Sequence, residues 1–156
     1  MFKKWLRTFV GFFFRSKPGL HSANMDLTTF KIELEKNIHG LLFSSESDYP
    51  FETIDWGQQS DIQIQQSIRS AHSSGQSIQE ISLDALFSKQ IQNRLRSGDE
   101  QEAATAKQFQ RLQDFLASQG SPVRVWRCGR IEIGVYIVCR LADGNRIGLK
   151  TTAIET

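Results

Sequence analysis

Residues 123–154 read VRVWRCGRIEIGVYIVCRLADGNRIGLKTTAI, and the period of this stretch is two. Val123 and Val125, then Ile131, Ile133, Val135, Ile137, Cys139 and Leu141, then Ile147, Leu149, Thr151 and Ala153 fall on alternate positions. That is the pattern of strands with one face on a core. Gly129-Arg130 and Asp143-Gly144 punctuate it as hairpin turns, the second with the Asp-Gly pair of a type I′ turn. The stretch therefore predicts a three-stranded antiparallel meander. The same register separates the two cysteines. With Gly129-Arg130 as the turn, Cys128 sits beside Ile131 and Cys139 lies about 26 Å away at about 3.3 Å per residue. A disulfide needs Cα atoms within about 7 Å, so both thiols are expected to be free.

Upstream the apolar period lengthens. Asp26-Leu27-Thr28-Thr29 supplies cap residues, and Phe30, Leu34, Ile38 and Leu41 predict a helix over about 27–42. The polar run Ser44-Ser45-Glu46-Ser47-Asp48 reads as a turn, and Pro50 forces Tyr49 out of helical geometry. A short strand, Phe51–Trp56, follows and Gly57 ends it. Ile64 and Ile68 mark a modest surface helix from Ser60 or Asp61 to Ala71, broken by Ser73-Ser74-Gly75. Ile78–Ser82 predicts a strand, and 84–92 a short helical turn. Ser97 followed by Glu100 has capping-box spacing and opens the clearest helix, with Phe109, Leu112, Phe115 and Leu116 as its stripe and Gly120 and Pro122 as its stop.

The charge is unevenly spread. The chain has 156 residues and a formal charge of +2, one domain's worth of sequence. Five bases and no acid precede Asp26, whereas residues 26–122 hold 8 bases and 14 acids and residues 123–156 hold 6 bases and 3 acids. The expected organisation is a basic-aromatic leader, 1–25, outside the fold, and a domain over 26–156. A net of −6 over 26–122 disfavours direct nucleic-acid binding, which needs clustered Lys and Arg. In the leader the uncharged run Thr8–Phe14 is too short for a span of about 20 residues. It remains open as a cleaved signal, a segment resting on an anionic membrane surface, or a tail ahead of a start at Met25.

No H-E-x-x-H, G-x-S-x-G, P-loop or G-x-G-x-x-G pattern occurs. His39 falls where a histidine meets a helix C-terminal dipole, Glu100 and Glu102 are first-turn acids, and Cys128 between Arg127 and Arg130 reads as a packed strand thiol. No catalytic residue or cofactor is expected. Two features stand out from packing. One is the acidic turn at Ser44–Asp48. The other is the end of the last strand at Thr156, an oxygen-rich tip of the kind a hard cation such as Mg²⁺ accepts.

The turn leads to a resemblance. Gly40-Leu41-Leu42-Phe43-Ser44-Ser45-Glu46-Ser47-Asp48-Tyr49-Pro50-Phe51-Glu52 resembles the nuclease A inhibitor family of bacterial proteins. The likeness continues through 106–112, Val135-Tyr136-Ile137-Val138, Ala142-Asp143-Gly144-Asn145 and Gly148-Leu149 to Ile154-Glu155-Thr156. It implies an α+β fold, a three-layer α/β/α sandwich like that of the pathogenesis-related PR-1 proteins. It also implies a one-to-one protein inhibitor of a Mg²⁺-dependent, sugar-non-specific DNA/RNA nuclease. By position, Glu46 in the S-E-S loop would meet a basic residue of that nuclease and Thr156 would reach its metal, with Ser45, Asp48 and Glu155 beside them. The chain departs from the family pattern at Gln90–Ser97, where an acid and a Trp that touch the nuclease give way to bases and no aromatic.

The function expected is nuclease inhibition by a protein that is monomeric alone and heterodimeric in complex, in the cytoplasm where a producing cell needs protection. The alternatives are a module of the same fold aimed at another basic partner, a membrane-peripheral protein using its leader, and an enzyme with His39 or His72 converging on carboxylates.

Overall fold

The computed structural model describes residues 25–72 and 76–156, so the expectations for residues 1–24 of the leader lie outside the described residues, while Met25, expected outside the fold, packs against the core. Helix α1, Leu27–Ile38, starts where the Asp26 side chain accepts the Thr29 amide. It stops four residues short of the expected end. Gly40 takes φ 71°, a left-handed turn that suits glycine, and Leu41 enters the core outside the helix. The next residues form β1, Leu42–Ser44, which pairs with β2, Asp48–Pro50. The acidic run is thus a hairpin tip and not a plain loop after a helix. Pro50 fits there because a two-stranded ribbon leaves one side of each strand unpaired.

Strand β3, Glu52–Gly57, is followed by α2, Asp61–Ala71, with a capping box in which Ser60 Oγ accepts the Gln63 amide and the Gln63 side chain accepts the Ser60 amide. Strand β4, Ile78–Ile81, leads through the Ser82 cap into α3, Leu83–Arg96. The expected short turn is therefore a full 14-residue helix. Its inward stripe runs Leu83, Leu86, Phe87, Gln90, Arg94, and the two polar members hid the periodicity. Helix α4, Glu100–Ala117, is capped by Asp99, which accepts the Glu102 amide at 3.0 Å. Ser97 instead closes α3 by donating to the Arg94 carbonyl at 2.8 Å, so the expected capping box is displaced.

Strands β5, Arg124–Cys128, β6, Glu132–Arg140, and β7, Arg146–Ile154, form the expected meander. They are the centre of a five-stranded antiparallel sheet in the order β3-β7-β6-β5-β4. The β6–β7 turn is not type I′. Gly144 has φ 90° and no other residue of the turn has positive φ. Gly144 donates to the Leu141 carbonyl and Leu141 to the Asn145 carbonyl, the arrangement of a type I turn closed by a left-handed glycine. Cys128 faces Gly134, not Ile131, so Cys139 lies five residues along β6, about 17 Å at about 3.3 Å per residue. Both thiols are free, and they sit in different apolar clusters.

Those two clusters define the layers. Ile133, Val135, Ile137, Cys139, Ile147 and Leu149 meet α1, α3 and α4 on one face, and Trp126, Cys128, Tyr136 and Val138 meet Ile64 and Ile68 of α2 on the other. Helices thus cover both faces, and every residue of β6 between its end residues is buried. At its N-terminal end α2 is tied to the sheet by Asp61, which accepts from Arg124 at 3.2 Å and Arg146 at 2.9 Å, while Arg124 also grips Glu80 with two bonds of 2.7 Å. At its other end the Nε2 atom of His72 lies 3.1 Å from the Tyr136 hydroxyl.

Candidate functional site

The hairpin is too short to stand alone, since isolated two-stranded ribbons are marginal in water. Beneath it lies an aromatic knot in which Phe51 meets Phe43, Phe87 and Phe109 edge to face, with centroids 6.0, 6.3 and 6.2 Å away. That geometry favours each pair by roughly 0.5–1.5 kcal/mol beyond the area buried. Phe43 and Phe51 flank the acidic tip in sequence, so the knot fixes both of its ends.

From the helix side, α3 holds β1 by polar bonds. The Gln90 carboxamide accepts the Ser44 amide at 3.0 Å and donates to the Ser44 carbonyl at 2.8 Å, acting as a neighbouring strand would. Arg94, also buried, donates to the Leu42 carbonyl at 3.3 Å, to Ser44 Oγ at 2.8 Å and to Gln90 Oε1 at 2.9 Å. Its guanidinium carbon stands 4.9 Å from the centre of the Phe109 ring. The sequence signal for this pair was their spacing of four, continuing the Leu86 and Phe87 stripe. The departure at Gln90–Ser97 thus has an internal side: Gln90 and Arg94 turn inward, while Lys89, Asn93 and Arg96 are exposed.

At the tip the structure brings Glu46 and Thr156 together. Both oxygens of the Glu46 carboxylate are engaged, Oε2 by the Thr156 amide and Oε1 by the Thr156 hydroxyl, each at 2.8 Å. These two bonds, the amide first, hold the Glu46 carboxyl below its ordinary value, because they stabilise the charged form. Ser45 Oγ accepts the Ile154 amide at 2.9 Å and donates to the Ser47 carbonyl at 3.0 Å, and the Glu46 amide donates to the Ile154 carbonyl. Glu155 turns the other way, its amide on the Ile131 carbonyl and its carboxylate 2.6 Å from Arg127. Three successive amides, Ile154, Glu155 and Thr156, are held alternately by the hairpin and by the β5–β6 turn. Asp48 is exposed on β2 opposite Ser44 and stands outside this bonded set. A hollow of about 550 Å³ adjoins the tip, floored by Phe43, Leu86 and Val135 and rimmed by Lys89, Asn93 and Glu155.

The other candidates lie elsewhere. His39 is the exposed C-cap of α1 and His72 packs on Tyr136. Burial pushes the Cys128 thiol up, with a smaller opposing effect of Arg69, and pushes Cys139 up to about 12. Among the described residues no group of three or more His, Cys, Asp or Glu is placed to hold a metal ion, and no helix is long and apolar enough to cross a membrane.

This hairpin tip and its bonded strand end lie inside the stretch matched by a known family. Residues 28–156 match the family model described as nuclease A inhibitor-like protein. The chain belongs to the nuclease A inhibitor-like family. No curated protein matches it.

Proposed function

We propose that this protein inhibits a Mg²⁺-dependent, sugar-non-specific DNA/RNA endonuclease by binding one-to-one and occluding its active site, without catalysis of its own. The observation that carries the reading is the Glu46–Thr156 pair, two oxygen-bearing residues 110 positions apart on one exposed tip. A nuclease cleft is positive where it draws in phosphate. A net of −6 over residues 26–122 steers the inhibitor toward such a cleft. Once docked, Glu46 faces a basic residue, Thr156 offers oxygen to the metal in place of phosphate, and neither presents a scissile bond. Ser45, Asp48 and Glu155 surround that contact. The layering of helices on both sheet faces supports the PR-1-like α/β/α sandwich that the family resemblance implies.

The test is a titration of such a nuclease with the full chain, read as residual activity. Stoichiometric inhibition is expected, weakened at least about tenfold by Glu46→Ala or Thr156→Val, as for desolvated charged contacts at an interface. Unchanged inhibition in both variants removes the tip from the interface. One observation favours a second reading, a module of the same fold directed at another basic protein: the segment Gln90–Ser97, where the family pattern has an acid and a Trp, presents exposed Asn93 and Arg96 instead. Absence of inhibition across several nucleases of this type selects it.

A further inference from the structure

Glu46 is exposed, yet both its carboxylate oxygens are already engaged within the molecule. The bonds exist only if the hairpin holds one register against the end of β7. Nothing in the three-residue strands fixes that register alone. Beside the Phe43–Phe51 contact and the 2.9 Å bond that Thr151 Oγ1 donates to the Pro50 carbonyl, directional hold reaches in from α3: the Gln90 carboxamide spans the Ser44 amide and carbonyl, and Arg94 takes the Leu42 carbonyl and Ser44 Oγ. Ser44 is two residues from Glu46. The Ser45 hydroxyl, between them, takes the Ile154 amide, so the path from helix to strand end is continuous and made of directional bonds.

We propose that Gln90 and Arg94 are positioning residues for the recognition tip: they set the hairpin so that Glu46 clamps Thr156, and the helix thereby governs how the tip meets a partner. The role toward a nuclease rests on the function proposed above; the clamp itself does not. Gln90 touches no partner in this scheme and acts through Ser44. A one-residue slip of β1 would turn each side chain to the other face of the ribbon and take Glu46 from Thr156.

Amide hydrogen exchange of the free full-length protein tests the clamp, with Gln90→Met as the variant because it keeps length and volume and removes the two carboxamide bonds to Ser44 together with the one accepted from Arg94. Thr156 and Ile154 amides are expected to exchange at least about tenfold faster, while Val135 and Ile137 in the core keep their rates, as for a local opening. Glu46→Gln, at an exposed position, should speed Thr156 similarly, and the double variant should add little to the larger single effect, the mark of one coupled network. An unchanged Thr156 rate in Gln90→Met with core rates intact overturns the proposal, and so does full additivity. Nuclease titration of the same variants separates the two ideas. Faster exchange with at least about tenfold weaker inhibition supports both, whereas faster exchange with unaltered inhibition upholds the clamp and removes the nuclease from this surface.

Discussion

Two glycines in the sheet have neighbours at very different distances, and the difference decides what a methyl group would cost. A Cβ on Gly148 would lie 1.7 Å from the Ile137 carbonyl oxygen, whereas one on Gly134 would lie 2.7 Å from Nε2 of His72 and 2.8 Å from the Tyr136 ring. Backbone in the middle of a ladder cannot withdraw. A histidine ring at a helix end can. Gly148→Ala is therefore expected to lower unfolding stability by about 3 kcal/mol or more, and Gly134→Ala by about 1–2 kcal/mol, in the range of overpacked cores; chemical denaturation of both variants checks the order. Glu46 gives the pH dependence at this scale. Its carboxyl is held below 4.5 by Thr156, so the clamp is fully present above that value and is lost as pH falls through the depressed one. The Glu46 side-chain carboxyl resonance should titrate with a midpoint below 4.5, as read by carbon-detected NMR.

Among the elements, α3 and α4 separate what patterning reveals from what it conceals. Phe109, Leu112 and Leu116 of α4 are buried as their spacing predicts. In α3 the fourth and fifth fully inward positions are Gln90 and Arg94, and a pattern that counts apolar residues passes from Phe87 to the half-buried Ile91 and skips them both. Their partners are backbone atoms of a hairpin about fifty residues upstream, which local sequence does not announce. The α4 cap shows a different limit. Ser97 and Glu100 have the right spacing, but Gly98 turns left-handed at φ 76° and passes the role to Asp99. Removing the real cap tests this: Asp99→Ala should cost about 1 kcal/mol, read as a shift of the denaturation midpoint. In the candidate site, Glu46 and Thr156 were both legible from the family resemblance, each alone. Their bond to one another was not, because it depends on the register of β7 against the hairpin.

For the molecule as a whole, charge separates along the chain into an acidic stretch over 26–122 and a basic one over 123–156. The two interleave in the fold, where Arg124 and Arg146 of the sheet take Asp61 and Glu80. These pairs take two bases and two acids, so residues 26–156, with 14 bases and 17 acids, keep their acidic balance. If the remaining acid steers a basic partner, the association rate should fall on the order of tenfold as ionic strength rises from about 0.01 M to about 0.15 M, where the Debye length shrinks from about 30 Å to about 8 Å. Stopped-flow binding at two salt concentrations measures it, and a flat rate would assign recognition to contact alone.

The strand order carries one more consequence. β3 pairs with β7, which follows every other strand of the described residues, and β7 also supplies Ile147, Leu149 and Ala153 to the core. A nascent polypeptide that has not yet emerged through β7 therefore exposes an unmatched edge at β3 and an unfilled floor beneath α1. Long-range pairing of this kind is slow and leaves sticky surfaces while it waits. A ribosome stalled before β7 would release material bound for chaperones, not a weaker version of the folded domain, so the Glu46–Thr156 contact and a covered core arrive together, with β7.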